Sequence, residues 1–180
     1  YSYAKNSAMA EGEAKHALRL AKGRQLSLPI YYDLEESSLG GVAASNMRIF
    51  AKLIESAGYW CGVYSGEYYY GKNLKYITAY TRWIARYNSN NGKATTKPST
   101  ANVAIWQYSS RGKVTGVNGN VDVNIMYVDL IKSVTGKDYI QAARDVWAGK
   151  YGTNDERTAK LKAEGFDPRI VQHFVNRLVK

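Results

Sequence analysis

Short apolar runs alternate with longer helix-like stretches along the first two thirds of the chain, and this alternation allows few folds. Four runs have the length and composition of buried strands: 28–34, 60–64, 83–87 and 103–108. Two stretches carry apolar residues at helical spacing: 8–23, opened by Ser7 and closed by Gly23, and 43–57, stopped by Gly58. Because strands that alternate with helices form parallel βα units, the sequence predicts an α/β sheet or barrel.

The segments between these elements differ in character. Segment 66–80 has no clear period and is predicted to be irregular. Segment 88–100 is polar and is predicted to be a loop, and 112–120 is predicted to be a glycine-rich turn region.

The composition is that of a globular protein and excludes several classes of site. The 180 residues are 45% hydrophobic and 22% charged, which allows one domain or one domain with a small module. No run of about 18 apolar residues occurs, so no membrane span is predicted. The single cysteine, Cys61, excludes an internal disulfide and a multi-cysteine metal site. Because His16 and His173 lie in separate helix-like stretches, we expect no metal site.

The charge and the aromatic residues point to the kind of partner. The formal charge of +10 suits a polyanion such as nucleic acid, an anionic membrane or a charged cell-wall polymer, although it also serves solubility alone. Basic residues are spread evenly along the chain, which argues against a nucleic-acid binder. The 16 Tyr and 4 Trp against 3 Phe favour a surface that stacks on sugar rings and hydrogen-bonds to them.

The pattern changes after about residue 130, where no strand signal is found. Three short helices are predicted at 138–148, 154–164 and 167–179, with Asn154 or Asp155 and Asp167 as candidate caps. We therefore predict two domains, a larger one at 1–130 and a three-helix module at 138–180, joined by a short linker near residues 133–137.

The strongest chemical signal is a pair of carboxylates at the end of a predicted strand. Since side chains alternate along a strand, Asp33 and Glu35 point to the same side, with Cα atoms about 6.6 Å apart. Two carboxylates at that distance repel, so one of them keeps its proton to a higher pH and is suited to act as a general acid. The alternative is a solvated strand end, where Asp and Glu are common.

A second polar pair follows the glycine-rich region. Asp122 and Asn124 alternate with Val121 and Val123, so the polar side chains share one face of a strand end, unless they belong to a turn. Aromatic residues gather at the predicted strand ends, where some belong to the core and others line a cleft: Tyr31, Tyr32, Tyr64, Trp83, Tyr87, Trp106 and Tyr108.

Five segments together resemble glycoside hydrolase family 25, the lysozyme (muramidase) family found in many phage endolysins. They are YSYAKN (1–6), IYYDLEESS (30–38), GVYSG (62–66), WIARY (83–87) and IWQYSSRGKVTGVNGNVDVN (105–124). The resemblance implies a partial TIM-like (β/α) barrel. Members of that family begin with a strand that carries an Asp-x-Ser-like motif, and no such strand precedes Tyr1 here. The expectation is therefore a barrel lacking its first strands, with weak or no activity in this stretch.

The resemblance also implies roles for individual residues. Glu35 would be the catalytic acid, Asp33 would stabilise positive charge or orient the substrate's acetamido group, and Asp122 would position substrate or tune Glu35. Tyr64 would be a further cleft residue. Tyr32, Trp106, Gln107 and Asn124, which lie among the aromatic and polar residues at the predicted strand ends, are also expected to bind substrate. The implied reaction is hydrolysis of the β-1,4 bond between N-acetylmuramic acid and N-acetylglucosamine, with no cofactor. The alternative is a wall-binding protein whose barrel has lost activity.

The tail resembles the three-helix cell-wall-binding repeat, of the CW-seven type, that is appended to certain phage lysins. The matching features are the turn at 148–152, Arg157, and the pair Phe166–Asp167. Repeats of this type bind muropeptides, and we expect Tyr151 to stack on the ligand and Arg157 to hydrogen-bond to it, unless Tyr151 and Trp147 form the core of the bundle. The expected partner is therefore bacterial peptidoglycan, reached outside the cell by secretion or by phage lysis.

Overall fold

A computed structural model describes residues 1–24, 26, 28–128, 130 and 139–178. Within these residues, five strands and five longer helices carry the fold. The strands are β1 (Ile30–Asp33), β2 (Cys61–Gly66), β3 (Thr81–Ala85), β4 (Val103–Gly112) and β5 (Val121–Met126). The helices are α1 (Ser7–Ala21), α2 (Gly40–Ser56), α3 (Tyr139–Trp147), α4 (Asn154–Ala163) and α5 (Pro168–Leu178). The predicted linker at 133–137 lies outside the described residues.

The five strands form one sheet in chain order, which confirms the α/β prediction. Strands β1 to β4 are parallel, and β5 runs antiparallel to β4. Strand β5 runs antiparallel to β4 because only residues 113–120 join the two strands. A connection of that length suits a hairpin, whereas a parallel crossover needs a dozen residues or more.

Helices α1 and α2 cover one face of the sheet. Alternate residues of the strands point to that face, where Tyr32, Val63 and Ile84 are buried with Phe50 and Ile54 of α2. The opposite face carries Asp33 and the other polar residues described below. Because side chains alternate along each strand, core residues point to one face and these polar residues point to the other, which we call the cleft face. Helix α1 begins after Asn6, whose side chain accepts a hydrogen bond from the backbone N–H of Met9 at 3.0 Å, rather than after Ser7.

The segment after β2 is helical rather than irregular as predicted. Residues Glu67–Tyr69 form one helical turn, which continues as the π-helical segment Tyr70–Leu74. Tyr70 and Leu74 are buried, and the Tyr70 hydroxyl donates to the carbonyl of Ile77 at 2.8 Å. The wider π turn escaped prediction because its spacing matches neither the helical period of 3.6 nor the strand period of two.

The three C-terminal helices form where the sequence predicts them. Asp167 caps α5, since its Oδ1 accepts from the backbone N–H of Arg169 at 2.9 Å, and Pro168 occupies the first helical position. Apolar residues from all three helices pack together, among them Val146, Leu161 and Val171. The division into domains at 1–130 and 138–180 stays a prediction.

No helix within the described residues combines the length and the apolar character that a bilayer crossing needs.

Candidate active site

The end of β1 places two carboxyl groups at the edge of the sheet. The pairing of β1 with β2 continues past Asp33, because the backbone N–H of Leu34 donates to the carbonyl of Tyr64 at 3.0 Å and the Ser65 hydroxyl donates to the carbonyl of Leu34 at 2.7 Å. These bonds hold the chain extended through Leu34, which directs Asp33 and Glu35 to the same side.

Asp33 is half-buried beneath this edge. Its Oδ1 is buried with no hydrogen-bond partner among the described residues. Burial raises the pKa of Asp33. The Asp33 side chain as a whole is 28% exposed, so the carboxylate is open at the sheet edge to a substrate N–H or to developing positive charge.

Glu35 is half-buried against the end of β2. The backbone N–H of Gly66 donates to its carboxyl group, and a Cβ added to Gly66 would lie only 3.2 Å from Glu35 Oε1. Burial raises the pKa of Glu35, the charge of Asp33 raises it further, and the Gly66 N–H lowers it in part. A carboxyl group that holds its proton beside an anion is the arrangement required of a general acid.

Two tyrosines share one amide oxygen beside the carboxylates. The Tyr64 hydroxyl donates to Gln107 Oε1 at 2.8 Å, and the Tyr87 hydroxyl donates to the same atom. Burial raises the pKa of Tyr64, and the charges of Glu35 and Asp33 raise it further. The structure therefore brings together Tyr64 and Gln107, both predicted, with Tyr87, which the sequence named only among the aromatic residues at strand ends.

Strand β5 adds two further polar residues to this side of the sheet. Asn124 pairs with Gln107 in the β4–β5 register, and its Oδ1 accepts from the Trp83 indole N–H at 2.8 Å. Asp122 is exposed. Burial is the largest cause that raises the pKa of Tyr87, and the charges of Asp122, Glu35 and Asp33 raise it further. The charges of three acidic groups thus act on one hydroxyl, although the groups come from opposite edges of the sheet.

Tyr32 lies outside this cluster, which corrects its predicted role in substrate binding. Its ring is stacked on Phe50 in the core, with centroids 3.9 Å apart, and its hydroxyl donates to Glu13 at 2.5 Å. The physical reason is the strand alternation: the residue before Asp33 must point to the opposite face of the sheet.

Trp106 is corrected for the same reason. It is buried at 3% exposure, and its indole N–H donates to the carbonyl of Arg86 at 2.9 Å. Its neighbour Gln107 points to the cleft, so Trp106 points away from it.

In the C-terminal region the two residues predicted to contact the wall, Tyr151 and Arg157, lie in different surroundings. Tyr151 is 7% exposed and its hydroxyl donates to Glu164 at 2.5 Å, so it belongs to the core and has no free face for stacking. Trp147, which the alternative prediction placed in the core with Tyr151, is 61% exposed, so that prediction is wrong for Trp147. Arg157 is half-buried and lines an open groove, where it donates to the carbonyl of Gly152 and to Gln172 Oε1. Arg157 stays a candidate.

Within the described part of the chain, no group of three or more His, Cys, Asp and Glu side chains could hold a metal ion.

Comparison with known families assigns the chain. The profile of glycosyl hydrolases family 25 matches residues 1–117, and that of the CW_7 repeat matches residues 141–179. The chain therefore belongs to glycosyl hydrolases family 25, and it carries a CW_7 repeat behind the family domain.

Individual relatives agree with this assignment. The uncharacterized protein YegX of Escherichia coli K12 is 32% identical over 133 residues, which are 69% of this chain and 46% of YegX. The lysozyme of Streptococcus phage Cp-7 is 29% identical over 184 residues, which are 96% of this chain and 52% of that lysozyme. The chain thus spans about half the length of the curated relatives it matches.

Among solved structures, the modular Cpl-1 endolysin, complexed with a peptidoglycan analogue, superposes with a TM-score of 0.57 at 26% identity. The superposition covers 71% of this chain and 37% of that one.

Proposed function

We propose that this protein is a peptidoglycan hydrolase, a muramidase that cleaves the β-1,4 bond between N-acetylmuramic acid and N-acetylglucosamine. The observation that carries the proposal is Glu35, a half-buried carboxyl group whose pKa is raised by burial and by the charge of Asp33 at the C-terminal edge of the parallel strands. Family membership and the resemblance to a phage lysozyme support the same activity.

Glu35 acts as the general acid. It transfers its proton to the glycosidic oxygen as the bond to the leaving sugar breaks, and positive charge develops at the anomeric carbon. Asp33 either stabilises that charge directly or orients the acetamido group, whose own oxygen then attacks the anomeric carbon. In both routes water completes the hydrolysis, and Glu35, now ionised, accepts a proton from that water.

The aromatic and amide groups beside the carboxylates position the sugar. The hydroxyls of Tyr64 and Tyr87 hold the Gln107 side chain in one orientation, which leaves its Nε2 donor for a substrate oxygen. Asn124 and Asp122, on β5, form the far wall and supply further hydrogen-bonding groups. Polar groups fixed in this way bind a sugar with little loss of side-chain entropy.

We further propose that the CW_7 repeat holds the enzyme on the wall, that its ligand is a muropeptide, and that Arg157 contacts this ligand. The Arg157 guanidinium donates to the carbonyl of Gly152 and to Gln172 Oε1, and its other N–H groups can donate to a carboxylate or carbonyl of the ligand. The site of action is the bacterial cell wall, which the enzyme reaches by secretion or by phage-mediated lysis. Arg157→Gln is expected to leave more protein unbound in sedimentation with purified walls than Arg144→Gln, a control whose exposed side chain lies on α3 and does not line the groove.

The chemistry of the product tests the proposed activity. Purified peptidoglycan is digested with the protein, the new reducing ends are reduced with borohydride, and the resulting sugar alcohols are identified by mass spectrometry. A muramidase yields muramitol at the new ends. Ends that carry glucosaminitol, or peptide release with no new reducing ends, would contradict it, and binding without cleavage would instead indicate a wall-binding protein.

A further inference from the structure

A cavity adjoins Glu35, and neither Tyr64 nor Gln107 lines it. It is open to solvent, has a volume of about 540 Å³, and takes its walls from the end of β2, the helical turn after it and the end of β3. The lining residues that matter here are Glu35, Gly66, Glu67, Tyr68, Lys72 and Arg86. Glu35 lies in the wall of this cavity and also acts with Asp33 in the candidate active site. A group bound in the cavity therefore lies close to the glycosidic bond that Glu35 protonates.

Two of the charges in the cavity wall neutralise each other. Arg86 Nη1 lies 2.6 Å from Glu67 Oε2, and Glu67 Oε1 also accepts from the backbone N–H and the hydroxyl of Ser99 at 2.5 and 2.9 Å. Burial raises the pKa of Glu67, but the bonds from Ser99 and Arg86 outweigh it and lower the pKa. The pair is therefore a fixed part of the wall that adds no net charge.

Lys72 is the other basic residue in the cavity wall and takes no part in this pair. It belongs to the π-helical segment whose Tyr70 and Leu74 are buried, and it is exposed on the cavity side. In the described part of the chain no hydrogen bond or ion pair engages its ammonium group. An ammonium group in a concave wall without a partner attracts an anion.

The neighbouring wall suits a ligand that is more than a simple anion. Tyr68 is 82% exposed and lines the same cavity as Lys72, so its ring offers an apolar face to a ligand bound there. Such a wall fits a short peptide that carries small apolar side chains and a carboxylate.

We propose that this cavity is a subsite for the peptide stem of peptidoglycan and that Lys72 pairs with a carboxylate of the stem. The proposal rests on the muramidase function proposed above, and it extends that function from the glycan strand to its peptide substituent. Lys72 is then a specificity-determining residue, which favours glycan whose muramic acid carries a stem.

The test is a titration of the full 180-residue chain followed by NMR, with two matched probes. One is N-acetylmuramyl-L-alanyl-D-isoglutamine with its free carboxylate, and the other is the same molecule as its methyl ester. The backbone amides of Gly71 and Asn73 report on the cavity, independently of any binding to the CW_7 repeat. Lys72→Gln is compared with Lys75→Gln, a matched control whose ammonium group lies over the ring of Tyr76, 5.0 Å from its centroid.

From the shifts of these amides, the acid is expected to bind the wild-type chain about three- to fivefold more tightly than the ester, as for an exposed ion pair. Lys72→Gln brings that ratio to about one, and Lys75→Gln leaves it unchanged. An acid-to-ester ratio of one in the wild type, an unchanged ratio in Lys72→Gln, or no shift at Gly71 and Asn73 would each overturn the proposal. Because the titration needs no cleavage, its failure is separate from a failure of the muramidase function.

Discussion

Asp33 pairs with Tyr64 in the parallel register of β1 and β2, so the carboxylate and the phenol rise from the same face of the sheet. Tyr64 in turn pairs with Trp83 on β3. Two positions further along β3, Ala85 pairs with Gln107 on β4. These residues form one row on the cleft side of the parallel strands. Glu35 lies two residues after Asp33, the first residue of the row. The predictions below follow from this row and from the neighbours of Glu35.

Gly66 sets the position of the Glu35 carboxyl group. Its backbone angles, φ −64° and ψ 143°, suit any residue, so Gly66→Ala is expected to fold normally. The added Cβ would lie 3.2 Å from Glu35 Oε1 and displace the carboxyl by a few tenths of an ångström, which we expect to lower kcat by about three- to tenfold.

The control for this variant is Gly12→Ala, since a Cβ at Gly12, in the exposed part of α1, meets nothing within 4 Å. It is expected to keep full activity and to gain about 0.5–1 kcal/mol of stability from the better helix former. Equal rates of wall clearing by Gly66→Ala and the wild type would show that Gly66 does not fix the carboxyl group.

Asp33 raises the pKa of Glu35, so removing its charge lowers that pKa. In Asp33→Asn, the midpoint of the Glu35 carboxyl titration, followed by its carbon-13 signal, is expected to move to lower pH. Glu36→Gln should move it less, because the charge of Glu36 is not among the groups that shift Glu35. A midpoint that stays in place in Asp33→Asn would mean that burial alone raises the pKa.

The raised pKa of Glu35 also makes stability depend on pH. A carboxyl group whose folded pKa lies above its ordinary value of 4.5 stabilises the fold fully below that value, and this contribution is lost as the pH rises through the folded pKa. The neutral side chain of Glu35→Gln avoids this loss. The variant is therefore expected to melt at a higher temperature than the wild type at pH about 7, with a difference that shrinks below pH about 4. A difference independent of pH would count against a raised pKa.

Tyr32 supports the fold and does not bind substrate. Tyr32→Phe keeps the stack on Phe50 and removes the hydroxyl that bonds to Glu13 and Ser2, so we expect a loss of about 1 kcal/mol in denaturant unfolding and an unchanged kcat/KM. Tyr64→Phe is the contrasting variant, because it frees one side of Gln107 and is expected to reduce kcat/KM by several-fold. A loss of activity in Tyr32→Phe at unchanged stability would restore its predicted role in binding.

The sequence predicts most of the fold because its strands and helices obey simple periods. Alternation along β1 alone places Asp33 and Glu35 on one side, and it also places Tyr32 on the other. The errors at Tyr32 and Trp106 came from grouping aromatic residues by their position at a strand end rather than by the face to which each points.

The position of Tyr87 depends on packing that no local pattern records, whereas the position of Trp147 follows from a pattern that the prediction did not use. Tyr87 lies beyond the end of β3, where the strand phase no longer fixes direction, and only the tertiary fold brings its hydroxyl to Gln107. In α3 the buried positions are Tyr139, Ala142, Ala143 and Val146, a helical period that leaves Trp147 outside. That period was present in the sequence and would have placed Trp147 on the exposed face.

The central claim is that Glu35 supplies the proton for cleavage, and the rate of reducing-end release from purified peptidoglycan tests it most directly. Glu35→Gln is compared with Glu11→Gln, which removes only a 3.8 Å ion pair with Lys15 on the exposed side of α1. The account predicts a loss of at least about a hundredfold for Glu35→Gln and no change for Glu11→Gln. Release by Glu35→Gln at the wild-type rate would contradict it.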